Sequence, residues 1–170
     1  MSSSTPESPA AHRLTASVLT VSDSCARGER NDLSGPAVAE LLTTKGFSVI
    51  AKEIVSDEQP EIQGAIVRMC GKAQLVVTTG GTGIAERDVT PEATTAVCSR
   101  VLDGVAERMR SEGAKKTPLA ALSRGICGVR GKSLVLNLPG SPKGAVESLE
   151  AVIDLLPHAL QLLAGNTEHG

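Results

Sequence analysis

A chain of 170 residues is long enough for one domain that buries roughly two-thirds of the surface exposed by the unfolded chain. The 17 Lys and Arg residues are balanced by 19 Asp and Glu residues, and the net charge of -2 does not favour a nucleic-acid partner. With no Trp, no Tyr and a single Phe, the chain cannot bind bases mainly by aromatic stacking, and no run approaches the ~20 apolar residues of a membrane span.

The two ends of the chain are predicted to lie outside the folded domain. Residues 1–13 begin with the small, polar and proline-containing sequence MSSSTPESPAAH, which is typical of a disordered tail. This segment lacks the basic start and apolar core of a secretory signal peptide, so a cytoplasmic protein with reduced thiols is predicted. A single domain is predicted for residues 14–165, followed by a second short tail at residues 166–170.

Strand and helix patterns alternate in the first half of the chain. The helical segments repeat apolar residues every three or four positions and end at a glycine, whereas the strand segments are short β-prone runs. The third strand contains the run Leu-Val-Val and is expected to be buried on both faces. The predicted elements are a strand at Leu14–Val21, a helix at Ser34–Lys45, a strand at Phe47–Val55, a helix at Glu58–Cys70 and a strand at Gln74–Thr79.

In the second half, two helical segments precede two short β-prone runs that flank Gly131 and Lys132, which predicts a hairpin. The last helical segment contains Pro157, which is expected to break or kink it. The order predicts an α/β fold: a three-layer α/β/α sandwich with a mostly parallel sheet and an antiparallel strand from the C-terminal hairpin. The elements are a helix from Pro91, a helix at Val101–Ala114, strands at Ile126–Arg130 and Ser133–Asn137, and a helix at Ser141–Leu163.

The cysteines and histidines form no recognisable metal or catalytic set. The four cysteines (Cys25, Cys70, Cys98 and Cys127) contain no C-x-x-C pair, which argues against a zinc site, and three scattered histidines support no His-centred triad. Cys25 lies in a predicted loop, where an incidental thiol is preferred over a reactive one.

Three predicted helices begin with a Ser or Thr close to a proline, at Ser34, Thr90 and Ser141. A hydroxyl at the N-cap accepts a hydrogen bond from a first-turn amide, so simple capping is the first interpretation of each. Their position adds a functional interpretation, because ligands of open α/β sheets bind beyond the carboxyl ends of the strands, where these helices begin.

The sequence TGGTG, which follows the third predicted strand, is a candidate anion site. Gly80, Gly81 and Gly83 have the freedom to present backbone amides to an anion, although a ligand-free glycine turn explains the loop equally well. The loop is not a dinucleotide fingerprint, because Ala85 and Glu86 stand where a third glycine is needed. Nor is it a Walker loop, since no Gly-Lys-Ser/Thr follows.

Asp88 lies just beyond this loop and would repel a bound phosphate unless a cation lay between them. Mg²⁺ is commonly held by one or two carboxylates together with substrate phosphates, so Asp88 favours a metal–nucleotide. Asp57 follows the second strand and is a candidate second ligand, although its spacing favours an N-cap for the helix at Glu58. Arg87 either neutralises phosphate charge or is a solvated surface residue.

The segments TTGGTGIAERDVTPEAT, ALSRGICGVRGKSLVLNLPGSPKG and IVSDEQ together resemble the molybdopterin adenylyltransferase family of the Mog and MoaB type, which includes the gephyrin G domain. The resemblance runs from about Leu14 to Gly165. It implies an α/β/α fold that assembles as a homotrimer, and a reaction in which Mg-ATP and molybdopterin give adenylyl-molybdopterin and pyrophosphate. It also implies a partner enzyme that inserts molybdate into the product.

The same resemblance implies the site residues. The essential carboxylates, which are also the Mg²⁺ ligands, fall on Asp57 and Asp88, and Ser141 is implied as a ligand of the pterin phosphate. The remaining molybdopterin and ATP contacts fall on Ser22, Asp23, Gly80, Gly81, Thr82, Gly83, Leu138, Pro139, Gly140 and Pro142.

Three alternatives stay open from the sequence. A catalytically silent, MoaB-type molybdopterin-binding protein would bind pterin without releasing pyrophosphate; Ser56, where the family frequently has proline, and a short segment after PGSPKG leave the subgroup open. Molybdate insertion normally requires additional domains, for which 170 residues leave no room. A Rossmann-type oxidoreductase is disfavoured by the glycine spacing.

Overall fold

The computed structural model describes residues 13–166, so the predicted tails, apart from residues 13 and 166, lie outside the described range. Its centre is a six-stranded sheet with the strand order β2-β1-β3-β6-β5-β4. The first four strands in this order are parallel, whereas β5 pairs antiparallel with both β6 and β4. The strands are β1 (Thr15–Val21), β2 (Ser48–Val55), β3 (Leu75–Thr79), β4 (Arg100–Val101), β5 (Cys127–Arg130) and β6 (Ser133–Leu138).

Helices cover both faces of this sheet and bury two separate apolar cores. In β3, Leu75 and Val77 belong to one core and Val76 to the other, because successive strand residues point to opposite faces. The first core lies under α2, α5, α6 and α7, and the second lies under α3 and α4. The helices are α1 (Asp23–Ala26), α2 (Ser34–Thr44), α3 (Gln59–Cys70), α4 (Thr90–Val97), α5 (Asp103–Ala114), α6 (Pro142–Val152) and α7 (Leu156–Leu163).

The predicted α/β class, the three layers and the C-terminal hairpin are therefore confirmed. The predicted break at Pro157 is also confirmed: α6 ends at Val152, a 3-10 turn spans Ile153–Leu155, and α7 begins with Pro157 in its first turn. Within residues 13–166, no helix combines the length and the apolar content needed to cross a membrane.

Some predicted helix and strand boundaries are wrong, because hydrogen bonds to other elements determine the backbone conformation there. Val101 belongs to β4, opposite Gly128, and α5 begins only at Asp103, because the Leu102 amide donates to the Cys127 carbonyl. The short helix α1, strand β4 and a 3-10 helix at Pro118–Leu122 were not predicted.

Of the three predicted N-caps, Ser141 alone has that role. Its Oγ accepts the Gly144 N–H at 3.1 Å at the start of α6. The N-cap position of α2 is Leu33, and Ser34 already lies inside the helix; the first-turn N–H of Gly35 donates to Oδ1 of Asp32, which precedes the cap, at 3.0 Å. The capping prediction is likewise wrong for Thr90, because its hydroxyl donates to a carbonyl of the glycine loop.

Candidate active site

The predicted site residues follow four neighbouring parallel strands. Strands β2, β1, β3 and β6 end at Val55, Val21, Thr79 and Leu138 respectively. Since parallel strands have their carboxyl ends at the same edge of a sheet, the loops after these strands meet there. The strand order therefore brings together residues from distant parts of the sequence.

Asp23 and Asp57 bind each other's backbone after β1 and β2. The Asp23 N–H donates to Asp57 Oδ2, and the Asp57 N–H donates to Asp23 Oδ1, both at 2.9 Å. Asp57 is therefore not the helix cap that its spacing favoured. The N-cap position of α3 is Glu58, which makes no side-chain cap hydrogen bond.

Three carboxylates lie close enough to influence one another. Burial raises the pKa of Asp57 above its usual value, and the negative charges of Asp23 and Asp88 raise it further, against a lowering by the Asp23 backbone N–H and by Arg87. By contrast, the Asp57 backbone N–H and the Arg87 guanidinium lower the pKa of Asp23. The site therefore disfavours a further anion unless a cation accompanies it.

Arg87 partly neutralises this charge. Its Nη2 lies 2.8 Å from Asp23 Oδ2, and its Nη1 donates to Glu58 at 3.0 Å. The guanidinium thus ties the glycine-loop segment to the loops after β1 and β2. Its side chain is half-exposed, so a ligand at the surface can still reach it.

The glycine loop requires glycine at its first two positions. Gly80 and Gly81 have φ angles of +91° and +69°, which are strained for residues with a side chain. A Cβ at Gly80 would also clash with the Val21 carbonyl, and one at Gly81 with the Thr90 hydroxyl. A Cβ at Gly81 would lie only 3.3 Å from Asp57 Oδ1, which shows how closely the loop approaches that carboxylate.

Asp88 lies against the other end of the loop. Its Oδ2 accepts the Ala85 N–H at 3.1 Å, and a Cβ at Gly83 would lie 2.8 Å from the same oxygen. Asp57 and Asp88 thus flank the segment from Gly81 to Gly83 at its two ends. Two carboxylates are enough for Mg²⁺ when phosphates supply further ligands. Among the residues of the described range, no three His, Cys, Asp or Glu side chains form a group that could hold a metal ion alone.

The carbonyl groups of the loop are held by two residues. The Thr90 hydroxyl donates to Gly80 O at 3.0 Å, and the Thr90 N–H donates to Gly81 O at 3.1 Å. Arg124 donates from its backbone N–H to Thr82 O and from Nε to Gly83 O, each at 2.8 Å. Its Nη2 also donates to the backbone oxygen of Asp88 at 2.7 Å.

Two cavities meet at Gly140 and Ser141. One, of about 350 Å³, is rich in hydroxyl groups, and the other, of about 460 Å³, has apolar side chains on its outer wall. Such volumes suit small-molecule ligands. The first is lined by Thr20, Val21, Ser22, Cys25, Arg30, Asn31, Asp32, Leu33, Ser34, Thr79, Gly80, Gly140, Ser141 and Pro142; the second by Gly81, Thr82, Gly83, Asp88, Gly113, Thr117, Leu119, Ala120, Leu122, Ser123, Pro139, Gly140, Ser141, Gly144, Glu147 and Ser148.

The polar wall of the first cavity is a hydrogen-bonded cluster that the sequence analysis did not predict. Asp32 accepts the Thr20 hydroxyl at 2.6 Å, and the hydroxyls of Ser34 and Thr79 are 3.0 Å apart.

Among the cysteines, Cys25 lines the same cavity. All four cysteines are free thiols, and burial raises the pKa of Cys70 to about 11 and that of Cys127 to about 12, so these two are poor nucleophiles at neutral pH.

Most of the predicted site residues line one of the two cavities or lie beside the glycine loop. Leu138 is the exception, since its side chain is fully buried in the core and its carbonyl accepts the Gly80 N–H at 3.1 Å. The Gly80 amide is therefore occupied, which confines the predicted anion-binding amides to the rest of the loop. Arg124 was not predicted as a site residue, although it lies within the segment ALSRGICG; an arginine directly before a glycine is its only signal in the sequence.

Comparison with known proteins gives three consistent results. Residues 17–158 match the family model described as a probable molybdopterin binding domain. The molybdopterin adenylyltransferase of Helicobacter pylori (strain J99) is 46% identical over 153 residues, which cover 88% of this chain and 87% of that protein. The enzyme of the same name from Escherichia coli K12 is 38% identical over 165 residues, which cover 87% and 84% of the two chains.

A solved structure agrees with the sequence relatives. The crystal structure of the molybdopterin biosynthesis enzyme MoaB from Thermus thermophilus superimposes with a TM-score of 0.85 at 52% identity, covering 89% of this chain and 97% of that one.

Proposed function

Because this chain belongs to the family of molybdopterin-binding domains, we propose that it is a molybdopterin adenylyltransferase that acts in molybdenum cofactor biosynthesis. The observation that supports this function best is the position of Asp57 and Asp88 at the two ends of the segment Gly81–Gly83, beside two cavities that meet at Ser141. The two cavities provide space for two anionic substrates next to the glycine loop, which Asp57 and Asp88 flank.

The reaction joins two phosphates. An oxygen of the molybdopterin phosphate attacks the α-phosphorus of ATP, the new P–O bond forms, and the bond from the α-phosphorus to the bridging oxygen breaks with release of pyrophosphate. Asp57 and Asp88 are the carboxylates that would bind the magnesium ion of Mg-ATP, and that ion would neutralise part of the phosphate charge. No side-chain nucleophile takes part, so catalysis consists of positioning and charge stabilisation.

The amides of the glycine loop and the start of α6 bind the phosphates. The N–H groups of Gly81, Thr82 and Gly83 make no hydrogen bond within the part of the chain that the structure describes. Ser141 Oγ accepts one hydrogen bond from Gly144, which leaves its hydroxyl proton to donate to the pterin phosphate. The other contacts come from Ser22, Asp23, Pro139, Gly140 and Pro142, whereas Gly80 and Leu138 bind each other through their backbones and shape the loop.

The decisive experiment is incubation of the purified protein with molybdopterin, Mg²⁺ and ATP, with both products measured. We expect equal amounts of pyrophosphate and adenylyl-molybdopterin, and neither when Mg²⁺ is chelated. Molybdopterin binding without pyrophosphate release would instead identify the silent pterin-binding protein.

The protein is further proposed to be a cytoplasmic homotrimer that passes its product to a molybdate-inserting enzyme, as the family resemblance implies. Sedimentation equilibrium tests the assembly: a mass of three chains, each of 17.5 kDa, is expected, and a single-chain mass at micromolar concentration would contradict it.

A further inference from the structure

Arg124 uses every part of its guanidinium on the glycine loop and on the helix behind it. Nε donates to Gly83 O, Nη2 donates to Asp88 O, and Nη1 pairs with the Glu92 carboxylate at 2.8 Å. Its backbone N–H adds the bond to Thr82 O. One residue, which precedes β5, thus contacts both ends of the segment from Thr82 to Asp88.

These contacts determine where the loop amides point. In a planar trans peptide, the C=O of one residue points opposite to the N–H of the next. When Arg124 holds the carbonyls of Thr82 and Gly83, the N–H groups of Gly83 and Ile84 are turned away from it. Thr90 acts in the same way on the two preceding peptides, which turns the N–H groups of Gly81 and Thr82.

The result is a row of four amides, from Gly81 to Ile84, that donate no hydrogen bond within residues 13–166. Successive backbone amides form an anion-binding concavity where right-handed and left-handed conformations alternate, and Gly81, the first residue of this row, has a left-handed φ of +69°. The same guanidinium fixes the backbone of Asp88, which bears the carboxylate proposed to bind the metal ion.

We infer that Arg124 is a positioning residue for adenylyl transfer, which orients the anion-binding amides of Gly83 and Ile84 and fixes Asp88 beside them. The effect of Arg124 on catalysis rests on the proposed adenylyltransferase function, whereas its effect on the loop amides does not. Lysine does not replace arginine here, because a single ammonium group cannot donate to two backbone carbonyls and a carboxylate in three fixed directions.

The first test is the Arg124→Lys variant, with two controls. Glu92→Gln removes the exposed ion pair but leaves the three bonds to loop carbonyls, and Arg108→Ala removes an arginine whose Nε donates to a single carbonyl, that of Ala151. We expect Arg124→Lys to lower kcat about 10- to 100-fold. Glu92→Gln is expected to stay within about threefold of the wild type, as an exposed ion pair contributes little.

A second readout does not require turnover. Amide cross-peaks of Gly83 and Ile84 in ¹H–¹⁵N spectra are expected to shift when inorganic pyrophosphate is added, with Mg²⁺ in excess, to the wild type and to the Arg108→Ala variant. In Arg124→Lys, these shifts are expected to require at least about 10-fold more pyrophosphate. An Arg124→Gln variant serves as the second substitution if Arg124→Lys does not fold.

The outcomes separate the two proposals. A wild type that shows the pyrophosphate-dependent shifts without turnover removes the adenylyltransferase function and leaves the positioning role of Arg124 intact. Wild-type kcat and wild-type pyrophosphate shifts in both Arg124 variants would overturn the inference, as would the absence of amide shifts in the wild type. A loss in Glu92→Gln equal to that in Arg124→Lys would also overturn it, because the ion pair would then be responsible.

Discussion

At the scale of single residues, the site combines carboxylates with unpaired backbone amides, which we propose bind an anion. Asp57 and Asp88 are held by backbone N–H groups of Asp23 and Ala85, so their positions do not depend on a ligand. Their charge disfavours a bare phosphate, whereas a phosphate that arrives with Mg²⁺ satisfies both the amides and the carboxylates.

Asp88→Asn is expected to abolish adenylylation without unfolding the protein. The amide oxygen of asparagine still accepts the Ala85 N–H, but the neutral side chain no longer binds Mg²⁺ well. We expect pyrophosphate release to fall at least about 100-fold, with molybdopterin affinity unchanged. A steady-state assay at saturating substrates checks this, and Asp154→Asn, at an exposed position outside the site, is the matched control. Turnover near the wild-type rate would remove Asp88 from the metal-binding role.

Asp57→Asn is expected to stabilise the fold while it impairs catalysis. Burial and two neighbouring carboxylates raise the pKa of Asp57, so the folded protein binds this proton more tightly than the unfolded chain does. Its ionisation therefore costs stability as the pH rises from the unfolded pKa of about 3.9 through the higher folded pKa. The neutral asparagine avoids this cost, and the stability gain of Asp57→Asn over the wild type should grow from about pH 4 to about pH 7.

Denaturant unfolding of both proteins at the two pH values measures this gain. A difference in the free energy of unfolding that does not change with pH would contradict the assignment of the raised pKa to Asp57.

At the scale of elements, buried polar groups join the strands to the helix that carries the loop. Asn137 in β6 donates from Nδ2 to the hydroxyls of Thr78 and Thr94, each at 3.0 Å, and its Oδ1 accepts the Ile126 N–H. This single side chain links β3, β6, α4 and the segment that contains Arg124. The sequence does not predict this network, because a single asparagine near the end of an apolar strand does not indicate which residues it will contact.

Asn137→Ala is expected to destabilise the fold by about 2–4 kcal/mol, because it removes the acceptor of the part-buried Ile126 N–H and the donor to the buried hydroxyls of Thr78 and Thr94, of which Thr94 keeps its bond to Thr90 O. The free energy of unfolding in urea measures the loss. Asn31→Ala is the control, since Asn31 is exposed and is expected to change stability by less than about 0.5 kcal/mol. A change of similar size in the two variants would show that the network contributes little.

Prediction of elements from the sequence succeeds where a single segment determines its own structure. Long periodic segments such as Glu58–Cys70 are helical because their apolar positions already match a helix, and the glycine turn at Gly131 produces the expected hairpin. The capping predictions for Ser34 and Thr90 are wrong because the Ser34 hydroxyl pairs with that of Thr79 at the end of β3, and the Thr90 hydroxyl donates to the Gly80 carbonyl in the glycine loop.

At the scale of the whole molecule, the site exists only in the folded chain. Its parts follow β1, β2, β3 and β6 and come together through the strand order alone. A ligand of this site therefore binds the native state and not the unfolded chain, which links binding to global stability.

Mg-ATP is accordingly expected to raise the melting temperature. At a concentration about 100 times the dissociation constant, the gain is about 2.7 kcal/mol, or roughly 5–10 °C for a chain of this size. Differential scanning calorimetry with and without Mg²⁺ measures it, with Asp154→Asn as a control that should respond like the wild type. The same shift in Asp88→Asn would show that the metal contact does not contribute to nucleotide binding.

Local features of the sequence predicted the α/β class, the hairpin and the glycine loop, which the structure contains, because each follows from periodicity or backbone freedom. The cation beside Asp88 was inferred from the sign of neighbouring charges and stays a prediction. The resemblance to a known family indicates the chemistry. The folded structure was needed to show that Asp57 pairs with Asp23, that Arg124 and Thr90 hold the carbonyls of the loop, and that two cavities meet at Ser141. The physical reason is that side-chain hydrogen bonds leave no periodic pattern in the sequence, and that two of these contacts join segments far apart in the chain, Asp23 to Asp57 and Gly83 to Arg124.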